Sequence, residues 1–137
     1  MKKIVNPSRC SICFGDFRLY KVVTLSTGEV AEACWDCYQK EGKRTAYQPG
    51  YIYIIGYGEF WKVGKTQGDP QTRLKQFQTG SPHVLQIFDS WLVRDCCIAE
   101  RFAHNALRQF HLRGEWFQGN PSEMARLIKD WKLGALN

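Results

Sequence analysis

Tyr51-Ile52-Tyr53-Ile54-Ile55-Gly56-Tyr57-Gly58-Glu59-Phe60-Trp61-Lys62-Val63-Gly64-Lys65 is the stretch that decides the fold. Its first five residues are all β-branched or aromatic, the composition of a central strand buried on both faces. Gly56 to Glu59 supplies a turn, and Phe60 to Lys65 returns as a second strand. Asp69-Pro70 then opens a helix, because an aspartate caps free backbone N–H groups and proline suits the first helical position. That helix is expected to run to about Gln78, where Thr79-Gly80-Ser81-Pro82 stops it. A third strand covers roughly residues 84–93, and Asp95 leads into a long helix ending near Phe110. At about 100° per residue, Cys96, Ile98, Ala99, Phe102, Ala103, Ala106, Leu107 and Phe110 fill one half of its circumference. Glu100 and His104, four apart, stack at the border of that face. Asn120-Pro121-Ser122-Glu123 resembles a capping box that opens a last helix through Lys132. The order strand, strand, helix, strand, helix, helix makes this an α+β unit with three strands and three helices.

Upstream, residues 40–50 are polar and basic and close on Pro49-Gly50, a strong turn signal. They place a boundary that divides the chain into residues 1–46 and 47–137. The first unit carries Cys10-x2-Cys13, twenty intervening residues, and Cys34-x2-Cys37, a spacing expected of a four-cysteine zinc site. A two-residue spacer lets both thiolates of a pair turn to one tetrahedral ion. The segment is too short to bury much core, so metal binding is expected to supply its folding free energy. Between the pairs, Phe17 to Leu25 and Val30 to Ala33 read as a hairpin turned at Ser26-Thr27-Gly28-Glu29, and a short helix is expected from Trp35 to Glu41. Amides at that helix start would help keep the second pair of thiols ionised. The layout resembles a treble-clef zinc finger. Cys96 and Cys97 stand adjacent on the long helix, a poor arrangement for chelating one ion, and Cys96 reads as core.

No apolar run approaches the roughly 20 residues that span a bilayer, and two N-terminal lysines without a following apolar block do not make a secretory signal. A cytoplasmic, reducing location is expected, where paired cysteines usually mean metal or catalysis. Formal net charge is +6, spread over both units: eight Lys/Arg against five acids in residues 1–49 and eleven against eight in residues 50–137. Four zinc-bound thiolates would bring the total to about +4. This balance favours a polyanionic partner without establishing one.

Residues 50–118 resemble the GIY-YIG nuclease superfamily. Tyr51-Ile52-Tyr53 stands at its first motif and Lys62-Val63-Gly64 at its second. Arg73 matches the arginine of the following helix, and Glu100 the metal-binding glutamate of the later one. Leu74, Gln78-Thr79-Gly80-Ser81-Pro82, His104 and Arg113-Gly114-Glu115-Trp116-Phe117 look like a compact phage and bacterial branch in which lysine often replaces the second tyrosine. The chain departs at Tyr51, where the motif has glycine, and at Lys62, which removes a phenol often assigned to catalysis; the late asparagine has no clear equivalent. The resemblance implies a three-stranded sheet flanked by helices and a metal-dependent endonuclease acting on nucleic acid, most readily DNA, with Mg²⁺ or Mn²⁺ as catalytic ion.

Phosphodiester hydrolysis needs an activated water, positive charge on the non-bridging oxygens, and stabilisation of the leaving oxygen. Tyr53, its phenol acidified by Lys62 across the hairpin, would position or deprotonate water. Arg73 presents a planar fork to a phosphate, Glu100 would hold Mg²⁺, and His104 would accept a proton or place Glu100. Lys65 would contact nucleic acid, as would Lys43 and Arg44. Plain roles stand beside these: Tyr53 as core, Arg73 paired with Asp69, Lys62 and Lys65 facing solvent, and Glu115 packing with Trp116 and Phe117. The basic finger is equally a folding staple with a solvated surface. Two rival functions remain: a catalytically silent nucleic-acid-binding module, and a zinc finger that docks a protein.

Overall fold

The computed structural model describes residues 19–24, 30–39 and 47–129. Strands β1 (Leu19–Thr24) and β2 (Val30–Cys34) pair antiparallel, and a short helical turn α1 (Trp35–Cys37) follows. The two expected strands and the start of the helix after them are therefore present, while the expected turn at Ser26-Thr27-Gly28-Glu29 lies outside the described residues. Cys10, Cys13, Lys43 and Arg44 lie outside the described residues.

The second sheet is built on β3 (Gly50–Tyr57) and β4 (Phe60–Thr66), with β5 (Gln86–Val93) on the far side of β3. It is larger than the three strands expected. Two short strands, β6 (His111–Arg113) and β7 (Trp116–Gln118), extend it to five in the antiparallel order β5-β3-β4-β7-β6. The turn between them contains Gly114 at φ +56°, a left-handed conformation that glycine adopts without steric cost. The long helix predicted to reach Phe110 stops earlier: α3 (Cys96–Ala106) gives way to a 3-10 turn, Arg108–Phe110, that feeds β6.

The remaining helices start where their caps predict. Asp69 accepts the Gln71 N–H at the head of α2 (Pro70–Thr79), and Asn120 Oδ1 accepts from Ser122 at the head of α4 (Pro121–Lys129). Asp95, wholly buried, uses both oxygens: Oδ1 caps α3 at Ile98, and Oδ2 receives the Gln48 N–H. A buried carboxylate is tolerable only with such partners. It fixes the chain entering β3 against the start of α3.

Strand alternation divides the molecule into two layers of side chains. Ile52, Ile54, Trp61 and Val63 face α3 and α4, where they join Ile98, Phe102, Phe117 and Met124 in the main core. Tyr53 and Ile55 point the other way, towards Leu74 and Phe77 of α2. Ala33, Cys34 and Cys37 are buried within the main core, and an Arg101 Nη of α3 lies 3.5 Å from Cys34 Sγ. The two sheets thus share packing across the expected boundary. Among the described residues, no helix is long and apolar enough to cross a membrane.

Candidate functional site

Tyr53 stands in the middle of β3, opposite Gly64 of β4, on the face covered by α2. Its ring is fully buried, yet its hydroxyl crosses over β4 and donates to Glu115 Oε1 at 3.0 Å. That crossing requires glycine at position 64. A Cβ there would fall on the Tyr53 hydroxyl, 2.7 Å from both Tyr53 Cζ and Glu115 Oε1. The glycine of the second sequence motif is thus explained by close approach of side chains, not by a turn.

Phe77 is the hub around which the cations gather. Its ring lies 5.9 Å from that of Tyr53, with Lys62 Nζ 3.8 Å from its centroid and the Arg73 guanidinium carbon at 5.2 Å. Lys62 also reaches within 5.5 Å of the Trp116 ring. Arg73 donates to Gln76 at 3.1 Å and not to Asp69, whose carboxylate caps the helix; its buried Nε has no hydrogen-bond partner. Two cations held against one ring by cation–π attraction, with no carboxylate ion-paired to either among the described residues, keep their charge available for an anion.

Burial and the Glu115 charge push the Tyr53 phenol well above its ordinary range, while the Arg73 guanidinium pulls it back only in part. This corrects the expectation of a phenol acidified by Lys62. At neutral pH Tyr53 keeps its proton and acts as a hydrogen-bond donor.

Glu100 and His104 are not brought to this cluster. Lys65 follows Gly64 in β4, so its side chain leaves from the opposite face, towards α3, where Nζ meets Glu100 Oε1 at 3.0 Å. That carboxylate raises the Lys65 pKa, burial opposing. His104 Nε2 lies 2.6 Å from the Val63 carbonyl, and its ring meets Phe117 edge-on at 5.1 Å. A carbonyl only accepts, so Nε2 carries a proton there and His104 ties α3 to β4. The period of two along β4 is the physical reason for the separation: Lys62 and Gly64 share the Tyr53 face, and Lys65 does not.

The carboxylate beside Tyr53 is instead Glu115, which the sequence reading assigned to packing. Its Oε1 is held by Tyr53, and Oε2 has no protein partner among the described residues. Only the hairpin β6–β7 puts it there, through the Val63 N–H donating to the Glu115 carbonyl at 3.0 Å. The local trace of it in the sequence is slight: Gly114 at a turn, followed by the strand formers Trp116 and Phe117.

Among the described residues no three His, Cys, Asp or Glu side chains converge. One half-buried carboxylate with a free oxygen suits Mg²⁺, which takes few protein ligands and keeps several waters. In the first unit, Cys34 and Cys37 are buried, with an Arg101 Nη 3.5 Å from Cys34 Sγ.

A family model for the T5orf172 domain matches residues 50–132. The chain belongs to the T5orf172 domain family. The match begins with β3 and takes in the five-stranded sheet, α2, α3 and α4, so Tyr53, Lys62, Gly64, Arg73 and Glu115 all lie within the T5orf172 domain. Neither a curated protein nor a solved structure matches the chain.

Proposed function

We propose that the T5orf172 domain of this chain is a GIY-YIG-type, metal-dependent endonuclease that hydrolyses phosphodiester bonds, most readily in DNA. The observation that carries this reading is the convergence of Tyr53, Lys62 and Arg73 around Phe77 on one face of the sheet, with Glu115 held by the Tyr53 hydroxyl. The nuclease associations of the T5orf172 family support it. Lys62 and Arg73 hold the non-bridging oxygens of a phosphate, countering the charge that grows as water attacks phosphorus and the bridging P–O bond breaks. Arg73 orients it through its fork; Lys62 acts as a point charge. Glu115 would hold Mg²⁺ or Mn²⁺, with Tyr53 fixing the carboxylate through Oε1. When bound, such an ion supplies Lewis-acid stabilisation and lowers the pKa of water. Tyr53, protonated at rest, orients Glu115 and donates a hydrogen bond.

One observation favours a second reading, a binding module without cleavage. Lys62 stands where the resemblance expects a second phenol, and Tyr53 is held protonated. Supercoiled plasmid nicking separates the two. Mg²⁺ or Mn²⁺ is expected to support nicking that EDTA stops and excess Mg²⁺ restores. Absence of cleavage on duplex, single-stranded and branched substrates, alongside binding that weakens with salt, would favour the silent module. Salt-independent or absent binding would sink both.

The finger is proposed to hold one Zn²⁺ through Cys10, Cys13, Cys34 and Cys37 in a reducing, cytoplasmic setting, and to assist nucleic-acid binding through Lys43 and Arg44. Elemental analysis of protein purified without chelator is expected to give one zinc per chain, lost in Cys37→Ser. Because Ala33, Cys34 and Cys37 pack in the main core, zinc loss is also expected to lower the melting temperature of the whole chain. Unchanged metal content in Cys37→Ser would refute the site.

A further inference from the structure

Beyond the phosphate-holding cluster, the same face carries an aromatic row that the proposed chemistry does not use. His83 stacks on Tyr57 with ring centroids 4.2 Å apart and planes at 17°. Trp116 meets Tyr57 edge-on at 6.5 Å and carries Lys62 over its own ring. Tyr57 lies four residues along β3 from Tyr53, on the same side by alternation, which places the row about 13 Å from the Tyr53 backbone. His83 is exposed, yet its backbone is fixed in place: Gln78 Nε2 donates to its carbonyl at 2.7 Å, and Ser81 Oγ bonds both its N–H and its carbonyl at 3.1 and 3.0 Å. An exposed His83 ring, backed by the half-buried rings of Tyr57 and Trp116 and set beside cations with no carboxylate partner among the described residues, matches a nucleotide in both of its parts, a flat base and an anionic phosphate.

We infer that His83, stacked on Tyr57 and flanked by Trp116, is a shelf that takes an unpaired nucleobase close to the phosphate held by Lys62 and Arg73. This rests on the nucleic-acid reading of the cluster and adds a substrate preference: single-stranded, frayed or flipped-out bases over a fully paired duplex. Stacking tolerates every base because each has a π-face, so the shelf selects for unpaired state and not for sequence.

The test is binding of fluorescent single-stranded oligonucleotides in Mg²⁺-free buffer, with an abasic residue scanned through successive positions. The backbone charge stays constant along the scan, so only base contacts are read. Wild type is expected to lose roughly tenfold in affinity at one or two adjacent positions. His83→Ala is expected to bind the intact strand about tenfold more weakly and to become insensitive to the abasic position, while His83→Phe keeps both properties. A flat scan in wild type that still binds with salt dependence overturns the shelf and leaves the phosphate cluster standing. Wild type that binds no oligonucleotide overturns both. Since the scan needs no mutant, a poorly folded variant cannot obscure the result.

Discussion

Glu115→Gln is expected to lower phosphodiester cleavage by about two to three orders of magnitude, the loss typical of removing one group that stabilises transition-state charge. The amide oxygen can still accept the Tyr53 hydroxyl, so the fold should be preserved while the negative charge that would hold a divalent ion is gone. Tyr53→Phe removes only the hydroxyl that orients Glu115 at 3.0 Å. It should reduce the rate by a similar order, spare substrate binding, and shift half-maximal activity to higher Mg²⁺. Glu100→Ala is the contrasting variant. Its ion pair with Lys65 is partly solvated, and such pairs contribute about 0–1 kcal/mol, so cleavage should stay within a few fold of wild type. Initial rates across a Mg²⁺ titration, with circular dichroism of each variant, decide between the two carboxylates. Abolished cleavage in Glu100→Ala with a full rate in Glu115→Gln would overturn the assignment.

Gly64→Ala should be nearly as damaging, for a steric reason. The added methyl would clash with the Tyr53 hydroxyl, and the ring that carries that hydroxyl is fully buried beneath Phe77. Glu115 can rotate aside, but the phenol cannot leave without opening the layer between β3 and α2. Overpacking of this kind costs about 1–3 kcal/mol. The domain should remain folded with a lower melting temperature, and the Tyr53–Glu115 hydrogen bond should break. A cleavage loss of about a hundredfold or more is expected, because both ends of that bond move. In a Tyr53→Phe background, Gly64→Ala should cost less activity than it does in wild type, since the hydroxyl contact is already gone. It should still lower the melting temperature, because the ring Cζ 2.7 Å from the added Cβ remains. Fully additive losses of activity would show that Gly64 acts through something other than the Tyr53 hydroxyl.

Much of the domain was legible in the sequence because its signals are local. The β-branched run at Tyr51 to Ile55, the Asp69-Pro70 and Asp95 caps and the Asn120 cap each act within a few residues, and each marks an element that is present. Tyr53, Lys62 and Arg73 were recoverable for the same reason, since a strand, its hairpin partner and the next helix fall on one side of a small sheet. The β6–β7 hairpin escaped notice because two three-residue strands have little periodicity of their own. They are held by pairing to β4 and by Gly114 at the turn.

The sequence by itself determined the α+β class, the start of each helix and the nearness of Tyr53 to two cations. Only the tertiary structure decided which carboxylate joins them. Helical periodicity put Glu100 at the edge of an apolar face, but it carries no information about which side of the sheet that face covers. The alternation of β4 sends Lys65 and Glu100 to one side and keeps Lys62 and Gly64 on the other. Glu115, sixty-two residues from Tyr53, arrives by a strand pairing that no local pattern encodes, across the gap left by a glycine that has no side chain to fill it.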